Sequence, residues 1–372
     1  MISPLRIAGC IILTTACRPE ARDAASSDRA RPAWRLEILA EAAPPGGFVG
    51  VSSLAADDSG NVYVADKGAY SIRVFDSAGR EVRTIGRQGA GPGEFTDLYS
   101  IAWAGDTLAA YDPGNSRLQL VTRNGQPVAS WAGSRITGSD VRLFQSGRRF
   151  FMPTWRPAPD GKGIELLLVT PGEFGPSDTL RLPRKPDSAD PTVVVCNLPG
   201  RSIGIFDTPF STQLVSSVSP AGELVLTRND QYRIAFLDPG GNAQRFTLYG
   251  TTPVPISSAE WDSVTAEYRD FRAKHPNADC DRDGQTKPEA RPVLRSIEFD
   301  DEGRMWVEAT VPGGYNFHVY DAAGGMLANI PAPARDPSVP FVVRDGRLHL
   351  VVESESGEQL VRTYRIRQAP GA

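Results

Sequence analysis

The chain is poor in the residues that carry most enzyme chemistry. Its 372 residues include three histidines, His275, His318 and His349, and four cysteines. One histidine lies in an insertion and two lie within strand patterns, so a three-histidine zinc centre is not expected. No long basic run occurs and the formal net charge is −4, which leaves no electrostatic footprint for nucleic acid. The apolar run near the start, Ile7 to Leu13, is too short to span a bilayer, which takes about 20 residues.

What the chain has in quantity is glycine (36) and proline (31), spread along its length rather than gathered in one tract. That distribution fits many short strands joined by turns.

The first 17 residues read as a secretory signal: Arg6, the short apolar run, then Thr14-Thr15-Ala16-Cys17. Small residues before a cysteine resemble the bacterial lipobox, which makes Cys17 the expected lipidated residue. Residues 18–33 are polar and read as a flexible tether. The expected location is therefore the bacterial cell envelope, with the membrane reached only through a lipid anchor.

From residue 34 a repeat emerges. Gly60, Gly105, Gly147, Gly222, Gly303 and Gly346 each separate an apolar strand from a second strand with alternating apolar residues. Most spacings fall near the ~40–50 residues of a propeller blade. A third strand, a Gly/Asn/Asp turn and a fourth strand follow in each unit, as in Ser71-Ile72-Arg73-Val74-Phe75 and the residues after it. Six units of four antiparallel strands predict an all-β, six-bladed propeller over 34–367, followed by a short tail, 368–372. The sixth unit is one strand short, and the strand-like Trp34 to Leu39 is expected to complete it, closing the ring.

Thr84 to Phe95 holds four glycines, at 86, 89, 91 and 93. No helix pattern follows it, so it lacks the helix N-terminus of a phosphate cradle and reads as the linker from blade one to blade two. Val62-Tyr63-Val64-Ala65-Asp66, Ile72 to Asp76, Gly86 to Phe95 and Tyr111 to Leu120, with Asn115 and Arg117, resemble the NHL-type repeat of six-bladed bacterial propellers. That resemblance implies a binding platform. It also implies an alternative, because some related propellers are enzymes, among them calcium-dependent lactonases, strictosidine-synthase-like proteins and a zinc amidating lyase: a metal-dependent lactonase- or esterase-like hydrolase with its site at the axis. Asp66 and Asp112 are read as turn caps rather than metal ligands.

Two spacings are too long and predict insertions at 187–210 and 253–290. Propeller topology puts both on the face that carries the blade-to-blade links and the second-to-third strand loops. Each insertion has one cysteine, Cys196 and Cys280, and an exported protein permits a disulfide between them. In the second insertion, Ser257 to Glu260 fits a capping box, and Trp261, Val264, Tyr268 and Phe271 share a helical face expected to pack on the propeller rim. Asp279, Asp281, Asp283 and Gly284 reproduce half of a D-x-D-x-D-G calcium loop, but position twelve is Ala290 rather than Glu.

Candidate ligand residues come from the same face: Tyr99, Asp140, Gln213 and Arg295 near the inner strands, and Arg117, Trp155, Arg156, Arg228 and Tyr315 from the second-to-third strand loops. Arginines beside aromatics suit an anionic or carbohydrate-like ligand or a protein partner. The expected molecule is a monomeric, non-catalytic binding or scaffolding propeller. No cofactor is firmly implied, with calcium the one metal the acidic loop would suit.

Overall fold

The computed structural model describes residues 34–132, 143–146, 149–157, 163–169, 178–183, 193–198, 203–237, 243–248, 250–281 and 284–368, with backbone only for the strands of the third blade and for 243–248. Cys17, the tether, Asp140 and Asp283 lie outside the described residues.

The strands form six four-stranded antiparallel sheets in chain order. β1 (Arg35–Ala42) belongs to the last of them. Blade one is β2 (Val51–Ala56), β3 (Val62–Asp66), β4 (Ser71–Phe75) and β5 (Glu81–Ile85). Blade two is β6 (Ser100–Ala104), β7 (Thr107–Asp112), β8 (Arg117–Thr122) and β9 (Pro127–Ala132). Blade three is β10 (Phe144–Ser146), β11 (Arg149–Pro157), β12 (Gly163–Val169) and β13 (Asp178–Pro183). The first insertion then contributes β14 (Val193–Asn197) and β15 (Ile203–Asp207).

Blade four is β16 (Leu214–Val218), β17 (Leu224–Arg228), β18 (Arg233–Leu237) and β19 (Ala243–Leu248). The second insertion holds α1 (Ser258–Val264), α2 (Ala266–Lys274) and β20 (Asp279–Cys280). Blade five is β21 (Leu294–Phe299), β22 (Met305–Val311), β23 (Gly314–Tyr320) and β24 (Met326–Pro331). Blade six is β25 (Val342–Arg344), β26 (Arg347–Glu353) and β27 (Gln359–Arg367), and β1 pairs antiparallel with β27 as its fourth strand. The chain is a six-bladed β-propeller closed by its N-terminal strand, as the repeat predicts.

Burial follows the two-residue period of a strand held between two neighbouring sheets. β3 is buried at every position. Val62 and Val64 join a cluster with Val351 and Val361 of blade six, while Tyr63 and Ala65 join Trp103 and Leu108 of blade two. Alternate side chains therefore fill opposite inter-blade seams, and no solvent face remains. The outer strand β5 is mostly exposed until Ile85. Tyr63 meets Trp103 edge to face with ring centroids 4.9 Å apart, a favoured aromatic geometry.

The turns repeat as well. In the sequences starting at Asp57, Asp76, Thr122, Ser219, Asp300, Asp321 and Ser354, the first residue's N–H donates to the carbonyl four residues on. The glycine three residues on donates back to the first residue's carbonyl. Asp300 shows why a carboxylate starts such a turn. Its Oδ1 accepts the N–H groups of Glu302 and Arg304, at 3.1 and 2.8 Å, and its Oδ2 accepts Trp306 Nε1 at 2.9 Å. This is the Asx-type capping expected of aspartate in a turn.

The glycine-rich stretch is a lasso clamped by blade two. Phe95 N–H donates to the Arg87 carbonyl at 2.8 Å, and Gly89 N–H to the Phe95 carbonyl at 3.0 Å. Arg117 donates to the carbonyls of Ala90, Gly91 and Glu94. Gln119 accepts Gly93 N–H and donates to the Glu94 carbonyl. Gly86 has φ +85°, and a Cβ there would lie 2.4 Å from the Phe95 ring, so only glycine fits.

Candidate functional site

Strand ends on the insertion-bearing face hold the inter-blade links in place. Asp66 accepts the N–H groups of Val49 and Gly50, and Asp112 accepts those of Thr96 and Asp97. In blade four Asn229 takes that place, accepting Gln213 N–H at 2.8 Å. Asp66 and Asp112 thus act as caps for the backbone entering the inner strand.

The two insertions fold against each other. β14 pairs with β15 on one side and β20 on the other, with Cys196 opposite Cys280. Those two cysteines form the expected disulfide. Cys196, Val194, Tyr268 and Ala278 form a small core with Phe206 and Phe271 against it. Phe206 packs on Tyr268 and Phe271 with centroid distances of 5.3 and 4.7 Å. A Cβ on Gly204 would meet the Phe206 and Phe271 rings at 2.9 and 3.1 Å, which explains that glycine.

The helical segment departs from expectation in two ways. Ser257 does cap it, accepting Glu260 N–H at 3.1 Å. However, it breaks at the buried Thr265, whose Oγ1 and N–H both donate to the Trp261 carbonyl. Val264 consequently turns out to solvent at 45 % exposure, away from the buried Tyr268. The core that Tyr268 joins consists of insertion residues, so the segment packs on the first insertion rather than on a blade.

A cavity of about 280 Å³ is walled by Phe210, Ser211, Asp230, Pro253, Pro288 and Arg291 among others. Both insertions and the second-to-third strand loop of blade four contribute to it. Phe210 has φ +58°, a left-handed conformation that is unfavourable for an aromatic residue. The turn it makes brings Ser211 N–H onto the Thr208 carbonyl at 3.3 Å. The Oγ atoms of Thr208 and Ser211 and Nε of Arg291 are buried with no hydrogen-bond partner among the described residues. The two charges at the cavity are already matched. Arg228 grips Asp230 through Nε and Nη2 at 3.0 and 2.7 Å, and Arg291 pairs with Glu260 at 2.6 Å. The Arg228 hydrogen bonds hold the Asp230 pKa below the usual carboxylate range.

The expected ligand residues divide between this cavity and other parts of the face. Arg228 stands at the cavity through Asp230, and Gln213 is exposed beside Thr212, one of the lining residues. Arg295 and Tyr315 do come together, the guanidinium 3.9 Å above the ring, while Arg295 also donates from Nε to Glu308 at 2.8 Å. Tyr99 lies under Lys67 Nζ at 5.6 Å. Arg117 is occupied with the lasso. Trp155 and Arg156 lie on β11 opposite Leu166 and Glu165. Thr208, Ser211, Asp230 and Arg291 were not legible as a site, although the prolines at 253, 288 and 292 mark the rigid segments that frame it.

In the acidic loop, Cys280 is held in β20 between Asp279 and Asp281, and Asp281 Oδ1 accepts Val195 N–H at 3.2 Å. Among the described residues no group of three His, Cys, Asp or Glu is placed to hold a metal ion. His275 follows α2, His318 lies beside Tyr232 of the neighbouring blade at 2.9 Å, and His349 is buried beside Thr363. A sequence reading that finds no G-x-S-x-G is corrected by the chain itself, since that spacing occurs at 200–204, where 199–202 lie outside the described residues between the paired strands β14 and β15.

A second cavity of about 270 Å³ lies on the axis, lined by Leu54, Ile101, Trp103, Val218, Phe299 and Val343 with their neighbours. These residues sit toward the ends of the inner strands, away from the insertions. Asp300 at its mouth is engaged by its own turn and by Arg304 at 2.6 Å.

Residues 48–118 match a family model described as a 6-bladed beta-propeller. No curated protein matches the chain. Among solved structures, an exported-protein candidate from Bacteroides fragilis aligns at 11 % identity and TM-score 0.48, covering 90 % of this chain and 96 % of its own. A member of the DUF4221 family from Bacteroides vulgatus aligns at 10 % identity and TM-score 0.48, covering 91 % and 100 %. Virginiamycin B lyase from Staphylococcus aureus aligns at 11 % identity and TM-score 0.44, covering 89 % and 99 %.

Proposed function

We propose that this chain is a non-catalytic binding propeller of the bacterial envelope, lipid-anchored at Cys17 and tethered by residues 18–33, with its ligand site between the two insertions. One observation carries the reading. Two separate insertions are stapled together by Cys196–Cys280, and residues of both wall one cavity. Walls that include Pro253, Pro288 and Pro292 lower the ordering cost of binding. Asp230 and Arg291 are locked into ion pairs, which suits them as fixed hydrogen-bonding groups rather than as proton carriers.

Amide exchange of the purified protein with and without solubilised envelope extract tests the site. New protection at 208–212 and 286–293 is expected. Protection confined to the axial residues 298–301 and 342–344 would move the site to the other cavity. The anchor is tested separately, because Cys17→Ala should shift the protein from the membrane fraction to the soluble one, and unchanged partitioning would remove the lipid from the account.

A further inference from the structure

The two sulfurs that join the insertions sit in opposite surroundings. Cys196 has no exposed surface and belongs to the apolar core of Val194, Tyr268 and Ala278. Cys280 lies on the edge strand β20, partly exposed, with only one side against that core. A cation stands beside it. Arg272 of α2 donates from Nη1 to the Ala278 carbonyl at 2.9 Å and to Cys280 Sγ at 3.1 Å. Among the described residues these are its partners, and no carboxylate pairs with it.

The other charged groups nearby act from farther out. Asp279 and Asp281, next to Cys280 in the chain, are both exposed, and Asp281 accepts Val195 N–H. His275 is exposed with its ring against Phe271. Water screens these groups, whereas the guanidinium is in contact with the sulfur. A cation in contact stabilises a thiolate and an apolar core disfavours one, so the two thiols from which the bond is made are unequal. The thiolate is the attacking form in disulfide exchange. Cys280 alone combines an approach from outside with a charge that holds it in that form.

We propose that Cys280 is the cysteine that accepts a disulfide from an external thiol–disulfide donor, and that Cys196 serves only to resolve it. Cys280 Sγ, as the thiolate against Arg272, attacks one sulfur of the donor disulfide and releases the other as a thiolate. Cys196 gives its proton to water and attacks Cys280 Sγ, which the β14–β20 pairing sets opposite it, expelling the second donor thiolate. Two electrons pass from the two thiols of the chain to the donor, which leaves as two thiols. A donor that reaches only the β20 edge thereby locks both insertions together.

The test reduces the purified protein, desalts it without denaturant and pulses it with glutathione disulfide at pH 7. Acid quench, digestion and mass spectrometry place the glutathione, which is expected on Cys280. Cys196→Ser should take it up at least about 10-fold faster than Cys280→Ser, the gain for a thiol held ionised near neutral pH. Arg272→Gln should slow uptake at Cys280 by about 3- to 10-fold at pH 7 but not at pH 10, where every thiol is ionised. Arg272→Lys should keep most of the rate.

Glutathione on Cys196, or equal rates in the two single-cysteine variants, would overturn the assignment of Cys280. If Arg272→Gln slows uptake equally at both pH values, Arg272 only shapes the strand, and if it changes neither rate, Arg272 has no part in the step. If the folded protein takes up no glutathione while urea-unfolded protein does, the bond forms before the insertions fold and the proposal fails.

Discussion

Arg335, in the link from blade five to blade six, donates from Nη2 to Oε2 of Glu308 at 2.6 Å, with both side chains withdrawn from solvent. Arg335 Nε reaches the other carboxylate oxygen at 3.1 Å, and Ser296 Oγ donates to Oε2 at 3.0 Å. Arg295 completes the cluster from the inner strand. Burial alone would push the Glu308 pKa up, but hydrogen bonds from Arg295 and Arg335 outweigh it and hold the group at about 2.

Glu308→Gln should therefore destabilise the propeller by about 3–5 kcal/mol, because it leaves two guanidinium groups without their buried anion. Urea unfolding at neutral pH measures it. A loss below about 1 kcal/mol would show that the cluster breaks even. The depressed pKa gives a pH signature too. Its stabilisation, about 3 kcal/mol, is complete above pH ~4.5 and is lost as pH falls toward 2.

Two histidines set an earlier acid limit. Burial lowers His318 to about 4, where it meets the hydroxyls of Tyr232 and Tyr320. Burial, aided by Arg347, lowers His349 to about 3. Both stay neutral in the fold, while the unfolded chain takes up two protons below about pH 6.5. Stability should be level above that pH and fall as pH drops through 6, with a slope of about 2.5 kcal/mol per pH unit near pH 5. Denaturant midpoints from pH 7.5 to 4.5 give the slope. His349→Gln should reduce it by about half, and an unchanged slope would assign it to other groups.

The disulfide should govern the insertions more than the blades. It spans 84 residues, for which chain entropy allows about 4.6 kcal/mol. Both cysteines should resist thiol labelling until reductant is added. Reduction should then speed amide exchange at 193–197, 266–274 and 279–281 while strands such as β3 and β22 stay protected. Simultaneous loss of blade protection would show that the ring itself depends on the bond.

The lasso between blades one and two offers a test of backbone fit. Gly86→Ala must place a methyl group against Phe95 at a positive φ, and should cost about 1–3 kcal/mol. Arg117→Lys keeps the charge but loses the fork that reaches three carbonyls, and should cost about 1–2 kcal/mol. Thermal unfolding compares the two. A neutral Gly86→Ala would mean that the loop can open without loss.

Much of the fold was legible because its signals are local. The D-x-x-G-x turns state their geometry in five residues, and the unbroken apolar run Val62 to Ala65 states that both sheet faces are covered. The Cys196–Cys280 pairing was legible one level up, since chain order alone puts both insertions on one face. The helical face of the second insertion was misread at Val264, because a break at Thr265 depends on that residue being buried. The cavity was missed for a related reason. Thr208, Ser211, Asp230 and Arg291 lie up to 83 positions apart, and none is unusual in its own stretch.

By itself, then, the sequence determined the blade, its repetition, the closing strand and the side on which the insertions emerge, all of which follow from period, turn chemistry and connectivity. Tertiary structure alone decided which polar groups are spent. It assigned Arg117 to the lasso and shared Glu308 between two arginines. It matched Asp230 and Arg291 with charges of their own and left Thr208 and Ser211 buried beside them. Which donors are left over is set by distances between residues remote in the chain, and these exist only once the ring has closed.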